Sequence, residues 1–329
     1  MDKNTEDVQE NSLYGIDTQM IVQSKECSVY KMENSTGEGI ITCYPVFNGI
    51  QLLYNDIHMS SGADQNKLPN RDIMEINHCR EGRFECEFTM GSTAYLGEGD
   101  LAINMLSNTT SGSWFPLSHY HGISIVVELA AASDTLIRLA DTVDAVPIDV
   151  YDIRSRLCSG DTCFIMRASD SIQHIFSELY TAPQELRPNY FKLKVLELLL
   201  FLSSPKISNM REERRYFAHS QVDTIREIKK YMTDNMDRHI TLEELSKRFL
   251  IPLTSMKLCF KGVYGTSIYS YMYSYRLQVA ADLLRNTDES VTDIAGKVGY
   301  KNTSKFSEAF KRTFGRTPIE YRKEGIIVR

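Results

Sequence analysis

Residues 291–318 read VTDIAGKVGYKNTSKFSEAFKRTFGRTP, a stretch whose second half is basic although the whole chain carries a formal net charge of −6. Ser290 stands in front of it and Asp293 follows at the third helical position, the pattern of an N-cap with an acidic first turn. Ile294 and Val298 recur four apart, and Ala295 is small enough to let another helix cross closely. Gly299 then ends this helix, because glycine accepts the left-handed conformation of a C-terminal cap. A second helix is predicted from about Thr303 to Phe314, closed by Gly315 and Pro318. At 100° per residue Phe306, Ala309, Phe310 and Thr313 share one arc, the expected buried side. Ser304, Glu308 and Lys311 fall nearly opposite, with Ser307 beside them. A short helix, a glycine turn and an amphipathic helix with a polar outer face make a helix-turn-helix, whose second helix fits a DNA major groove.

About fifty residues earlier the arrangement recurs in ITLEELSKRFLIPLTSMKLCFKGVYG, residues 240–265. Thr241 and Glu244 are spaced as a capping box, and Leu242, Leu245 and Phe249 supply the apolar stripe of its first helix. Its second helix is expected to bury Met256, Cys259, Phe260 and Val263, leaving Thr254, Lys257, Leu258 and Lys261 outside. Between the units runs SIYSYMYSYRLQVAADLLRN, in which Ile268, Met272, Tyr275, Val279 and Leu283 are spaced as one buried stripe. Such a connector would fix the two second helices relative to each other, so that one chain enters two successive major grooves. Charge agrees with a polyanion partner. Residues 221–329 hold 19 Lys and Arg against 13 Asp and Glu, a net +6, which leaves −12 on residues 1–220.

These segments, above all IAGKVGY, FSEAFKRTFG, TPIEYR and YRLQVAADLL, resemble the C-terminal signature of the AraC/XylS transcriptional regulators over roughly residues 220–325. The resemblance implies a seven-helix DNA-binding domain with base contacts from both recognition helices. The positions that match are Thr254, Ser255, Lys257, Leu258 and Lys261 in the first unit and Thr303, Ser304, Ser307, Glu308 and Lys311 in the second. Leu258 departs from the long polar reader found in relatives, and Gly262 weakens its helix by about 1 kcal/mol relative to alanine. The first helix is therefore expected to meet thymine methyls and phosphates, whereas Glu308 suits cytosine N4.

Residues 41–129 alternate in the two-residue period of strands, with turns at Asn48-Gly49, Glu81-Gly82 and residues 97–100. Phe84, Cys86 and Phe88 point one way in RFECEF, Glu85 and Glu87 the other. Many short strands predict an antiparallel barrel or a double-sheet jelly roll. The stretches INHCREGRFECEF and YLGEGDLAI are similar to the cupin-like sensor half found in part of the same family, which implies a small-molecule effector. Arg80, Tyr95, Trp114 and His121 are the candidate pocket residues; Arg83 and Glu85 fit either that pocket or a solvated face. His119 and His121 are spaced like the paired histidines of enzymatic cupins, but they come late in the barrel, and His58 or His78 completes a set only if folding brings it there. No metal site and no cofactor are expected. The seven cysteines are odd in number and scattered, which points to reduced thiols; Cys158 and Cys163 are the one close pair.

Residues 169–182 and 189–204 read as helices, the second apolar almost all round, suiting either dimerisation or burial within one chain. The expected organisation is an α+β two-domain chain: a cupin-like effector-sensing β-barrel over residues 1–165, a helical dimerisation region over 166–203, a linker over 204–220, and an all-α DNA-binding domain over 221–329 with two helix-turn-helix units joined by a long helix. The N-terminus, MDKNTEDVQENS, has neither the basic start nor the apolar run of a signal peptide, and the run VLELLLFL is too short to span a bilayer, so a cytoplasmic protein is expected, a homodimer if the apolar helix pairs with its copy. No phosphate loop or nucleophile motif supports catalysis. The reading is a transcriptional regulator that binds double-stranded DNA under effector control, acting as an activator through RNA polymerase. Two alternatives stay open: a metal-dependent cupin enzyme fused to a DNA-binding domain, and an effector-independent architectural regulator.

Overall fold

The computed structural model describes residues 18–62, 72–88, 93–108, 110–158, 163–210, 217 and 219–327. It divides into two compact units, residues 1–218 and 219–329. Residues 211–216 and 218 of the expected linker lie outside the described residues; before them residues Pro205–Met210 form a 3-10 helix that buries Ile207.

The first unit is a mixed α/β body. Its strands are β1 (Thr18–Gln23), β2 (Ser28–Asn34), β3 (Gly37–Phe47), β4 (Ile50–His58), β5 (Ile73–Gly82), β6 (Phe84–Phe88), β7 (Thr93–Leu96), β8 (Leu101–Met105), β9 (Thr110–Trp114), β10 (Tyr120–Glu128) and β11 (Phe164–Met166). Eight of them form an antiparallel sheet in the order β1-β2-β3-β4-β10-β5-β8-β11, and three form a second sheet in the order β7-β6-β9. Gly49 joins β3 to β4 at φ +81°, and Gly82 sits at φ +88° where a Cβ would lie 2.3 Å from the His119 carbonyl oxygen. Both turns need glycine. Strands β1 and β2 precede the stretch whose alternation is legible, and so do the first residues of β3.

The middle of the large sheet is buried on both faces. Alternate residues such as Leu52, Ile76, Ile103 and Ile125 face helices α1 (Leu129–Thr142), α2 (Val150–Leu157), α3 (Asp170–Thr181) and α4 (Arg187–Leu202) in one core. Their neighbours Leu53, Cys79, Ala102 and Tyr120 face the small sheet in another. Burial on both faces explains why β10 reads as a nearly continuous apolar run rather than an alternating one. Helices α1 and α2 were not expected from the sequence, although Leu129, Ala132, Leu136 and Ala140 give α1 a helical stripe.

In α4 the residues Phe191, Val195, Leu198, Leu199 and Leu202 are buried within the chain, while Leu193 and Leu200 stay 65% and 64% exposed. Lys194, also buried, is ion-paired to Glu178 and lies 2.6 Å from Glu197, which keeps its ammonium satisfied. All seven cysteines are free, and Cys158 and Cys163 are both buried.

The second unit holds seven helices among the described residues: α5 (His219–Asp234), α6 (Leu242–Arg248), α7 (Leu253–Tyr264), α8 (Ile268–Asn286), α9 (Val291–Lys297), α10 (Thr303–Phe314) and α11 (Pro318–Ile327). Along α8 the fully buried residues are Ile268, Leu277, Ala280, Ala281 and Leu284, and Met272, Tyr275, Val279 and Leu283 are only half-buried. The expected stripe is thus displaced by about one position. The cause is that α8 packs against α7 near one end and α9, α10 and α11 near the other, so small alanines take the close crossing and larger neighbours flank it.

Candidate nucleic-acid interface

Each helix-turn-helix begins with a capped short helix. Thr241 Oγ1 accepts the Glu244 N–H at 3.1 Å, and Ser290 Oγ accepts the Asp293 N–H at 3.1 Å. The capping box at Thr241 is only half formed, because the Glu244 carboxylate turns to Arg238 at 2.6 Å and to the Tyr231 hydroxyl at 3.1 Å. The hydrogen bond from Arg238 holds the Glu244 carboxyl below its usual range. This ties α6 to the end of α5 and replaces the missing half of the box.

The second helices present the expected faces. On α7, Met256, Cys259, Phe260 and Val263 are buried, while Thr254, Lys257, Leu258 and Lys261 are exposed and Ser255 is half-buried. On α10, Phe306, Ala309 and Phe310 are buried, Ser304, Glu308 and Lys311 are exposed, and Thr303 and Ser307 are half-buried. Thr313 is exposed, not buried. Phe314 instead completes the core at that end, with ring centroids 4.5 Å from Phe310 and 5.4 Å from Tyr321, and the Thr313 hydroxyl bonds back to the Ala309 carbonyl at 3.1 Å. Both helices close on a left-handed glycine, Gly265 and Gly315, each at φ +75°.

Superposing the units by sequence at an offset of fifty pairs Gly265 with Gly315, Phe260 with Phe310 and Leu258 with Glu308. The same offset pairs Ser255 with Lys305, an exposed lysine in the first turn of α10 that the motif-based set omits. Its signal was the repeat itself. Arg312 is engaged elsewhere, 2.7 Å from the Tyr273 hydroxyl, so it braces α10 against α8. The face left free for a partner carries Lys257, Lys261, Lys305 and Lys311 against one carboxylate, Glu308, a balance suited to phosphate neutralisation around polar base readers.

In the first unit the four candidate pocket residues do not converge. Tyr95 helps line a cavity of about 40 Å³ between the sheets, beside Asn77, Phe84, Cys86 and Cys163. That volume suits a water or two. Trp114 sits across β6 from Tyr95, both opposite Glu85 in register. Arg83 and Glu85 are 8% and 1% exposed, which excludes the solvated-face reading for them, and burial lowers the Arg83 pKa. Arg80 lies instead in an open cleft of about 240 Å³ on the helix-facing side, with His78, Gln173, Ser177 and Tyr180. There the Arg80 guanidinium lies 4.8 Å from the Tyr180 ring centroid, and burial pushes His78 down to about 4. His121 is at a third place, paired in register with Asp56.

Among known proteins, residues 245–324 match the family model described as a helix-turn-helix domain. The chain is 32% identical over 109 residues to the HTH-type transcriptional activator RhaR of Mannheimia succiniciproducens, which covers 33% of this chain and 40% of that protein. It is 32% identical over 132 residues to the HTH-type transcriptional regulator ExsA of Pseudomonas aeruginosa, covering 40% and 46% respectively. It therefore spans less than half the length of either relative. The solved C-terminal domain of AraT, a response regulator from Geobacillus stearothermophilus, matches 31% of this chain and 84% of that one at 27% identity, with a TM-score of 0.30. Both sequence relatives bear the names of transcriptional regulators, not of enzymes.

Proposed function

We propose that this chain, whose residues 245–324 match a helix-turn-helix domain, is a DNA-binding transcriptional regulator of the AraC type that reads its site with α7 and α10. The observation that carries this reading is the repeated face: two helices of the same phase, each with a buried aromatic side and an outer side of lysines and small polar groups. Lysines 257, 261, 305 and 311 would neutralise phosphates, and Thr254, Ser255, Leu258, Thr303, Ser304, Ser307 and Glu308 would meet base edges or flank them. RNA polymerase as a partner, and activation rather than repression, belong to the same proposal. Competition titration on a DNA site selected from random sequence tests it. Lys311→Ala should weaken matched and mismatched sites by a similar factor, whereas Ser304→Ala or Glu308→Ala should change the ratio between them. Lys311→Ala altering preference while nonspecific affinity stays constant would contradict the division.

The first unit is proposed to dimerise through the exposed Leu193 and Leu200 of α4, and to sense a small molecule in the Arg80 cleft rather than between the sheets. Effector binding would shift an existing equilibrium between arrangements of the DNA-binding halves, by no more than its differential affinity for them. One observation favours the effector-independent alternative: among the described residues, the cavity between the sheets holds only about 40 Å³. Native mass spectrometry of the purified full chain separates the two. A retained organic adduct supports sensing, and adduct-free dimers that bind DNA fully support the architectural reading.

A further inference from the structure

At the end of β4 and β10, three side chains from adjacent strands converge on one point. Asp56 Oδ1 lies 2.8 Å from His58 Nε2 and 3.0 Å from His121 Nε2, and the three ligand atoms all fall within 4.8 Å of one another. Register explains the convergence. Asp56 and His121 are directly opposite across the β4–β10 ladder, and His58 follows Asp56 by two residues, on the same face. The face is the one that bears Leu52 and Ile125, the helix-facing side of the large sheet. The cavity between the sheets lies on the other side, so this is not the barrel interior.

We infer that Asp56, His58 and His121 form a binding site for a divalent first-row transition-metal ion. Two imidazoles and a carboxylate are the donor types that suit such ions, and bonds of about 2.0 to 2.1 Å place neighbouring donors about 2.9 to 3.4 Å apart, close to both distances from Asp56. A second observation points the same way. His121 Nε2 is buried from solvent and faces the Asp56 carboxylate at 3.0 Å without the alignment of a hydrogen bond, and an ion between the two would complete its bonding. Asp56 and His58 side chains are both 59% exposed, which leaves an entry path and room for water to complete the coordination. Glu81 stands opposite His121 on the third strand, with Oε2 4.0 Å from His121 Nδ1, too far for a hydrogen bond but near enough for its negative charge to favour a bound cation. His119, 4.0 Å from Glu81 rather than beside Asp56, lies outside the donor set.

Titration of the metal-free full chain with Co2+ and with Ni2+ tests the site. The expected result is one ion per chain, a Co2+ spectrum with ligand-field bands and no thiolate charge transfer, and a raised midpoint for unfolding of the first unit, because the ion binds only the folded state. His58→Gln and His121→Gln should each weaken binding at least about tenfold, and Glu81→Gln should weaken it less. Asp56→Asn, which keeps shape, serves as the decisive variant where a histidine variant unfolds. Absence of saturable binding, thiolate bands, or affinity unchanged in Asp56→Asn and the histidine variants overturns the assignment.

Discussion

The two helix-turn-helix units repeat one plan at an offset of fifty residues and differ most at the turn. In the second unit the left-handed position is Gly299, at φ +82°, where an added Cβ would stand 2.5 Å from the Met236 carbonyl oxygen. In the first it is Leu250, at φ +50°, with its side chain 91% exposed. The same backbone bend therefore tolerates a branched residue where the Cβ points to solvent and requires glycine where it meets backbone. Caps differ too. Asn302 accepts the Lys305 N–H at 3.0 Å in front of α10, whereas Pro252 stands before α7 with no side-chain cap, and the turn of the second unit is one residue longer. On the outer faces Leu258 occupies the place of Glu308. The second unit is thus better tied down and more polar, the first more strained and more apolar at its centre.

Five substitutions sharpen or break that contrast. Trp114, the single tryptophan, belongs to residues 1–218, so tryptophan fluorescence follows the unfolding of that body and helical circular dichroism adds that of residues 219–329. Gly299→Ala should cost about 3 kcal/mol or more in the second unit, combining left-handed strain with overpacking. A loss below about 1 kcal/mol would show that the turn can open. Glu308→Ala should change discrimination at one base pair by about 1 to 3 kcal/mol, and Leu258→Ala, lacking a hydrogen bond to lose, should change it less. Equal effects in competition titrations would remove the distinction between the faces. Asn302→Ala should lower stability by about 1 kcal/mol through the lost cap, read from a denaturant midpoint at constant slope. Leu250→Gly should have the smallest effect, a gain of up to about 1 kcal/mol as relief of strain outweighs the extra chain entropy. Clear destabilisation there would mean that the leucine makes a contact its exposure hides.

Much of the second unit was legible because its helices are short, capped and strongly periodic: Ser290, Gly265, Gly315 and the buried aromatics all stand where the pattern places them. Thr313 and the stripe of α8 were misplaced, since a wheel gives phase and not where a core ends or how many neighbours a helix serves. Lys305 was missed by matching positions to a motif instead of aligning the two units with each other. The first unit was harder. Its strand-rich middle declared itself by alternation and glycine turns, but β1, β2, α1 and α2 did not. The candidate pocket residues scattered to three places because side chains on neighbouring strands converge by register, and register is set by long-range pairing. His58 and His121 are 63 positions apart in sequence and meet only through the β4–β10 ladder.

The most direct measurement is hydroxyl-radical footprinting of the full chain on a selected DNA site. The account predicts that each bound chain protects two patches on one DNA face, about 10 to 10.5 base pairs apart, with Lys261→Ala weakening one patch and Lys311→Ala the other. A single protected groove per chain, or both lysine variants weakening the same patch, would contradict the claim that α7 and α10 both read DNA.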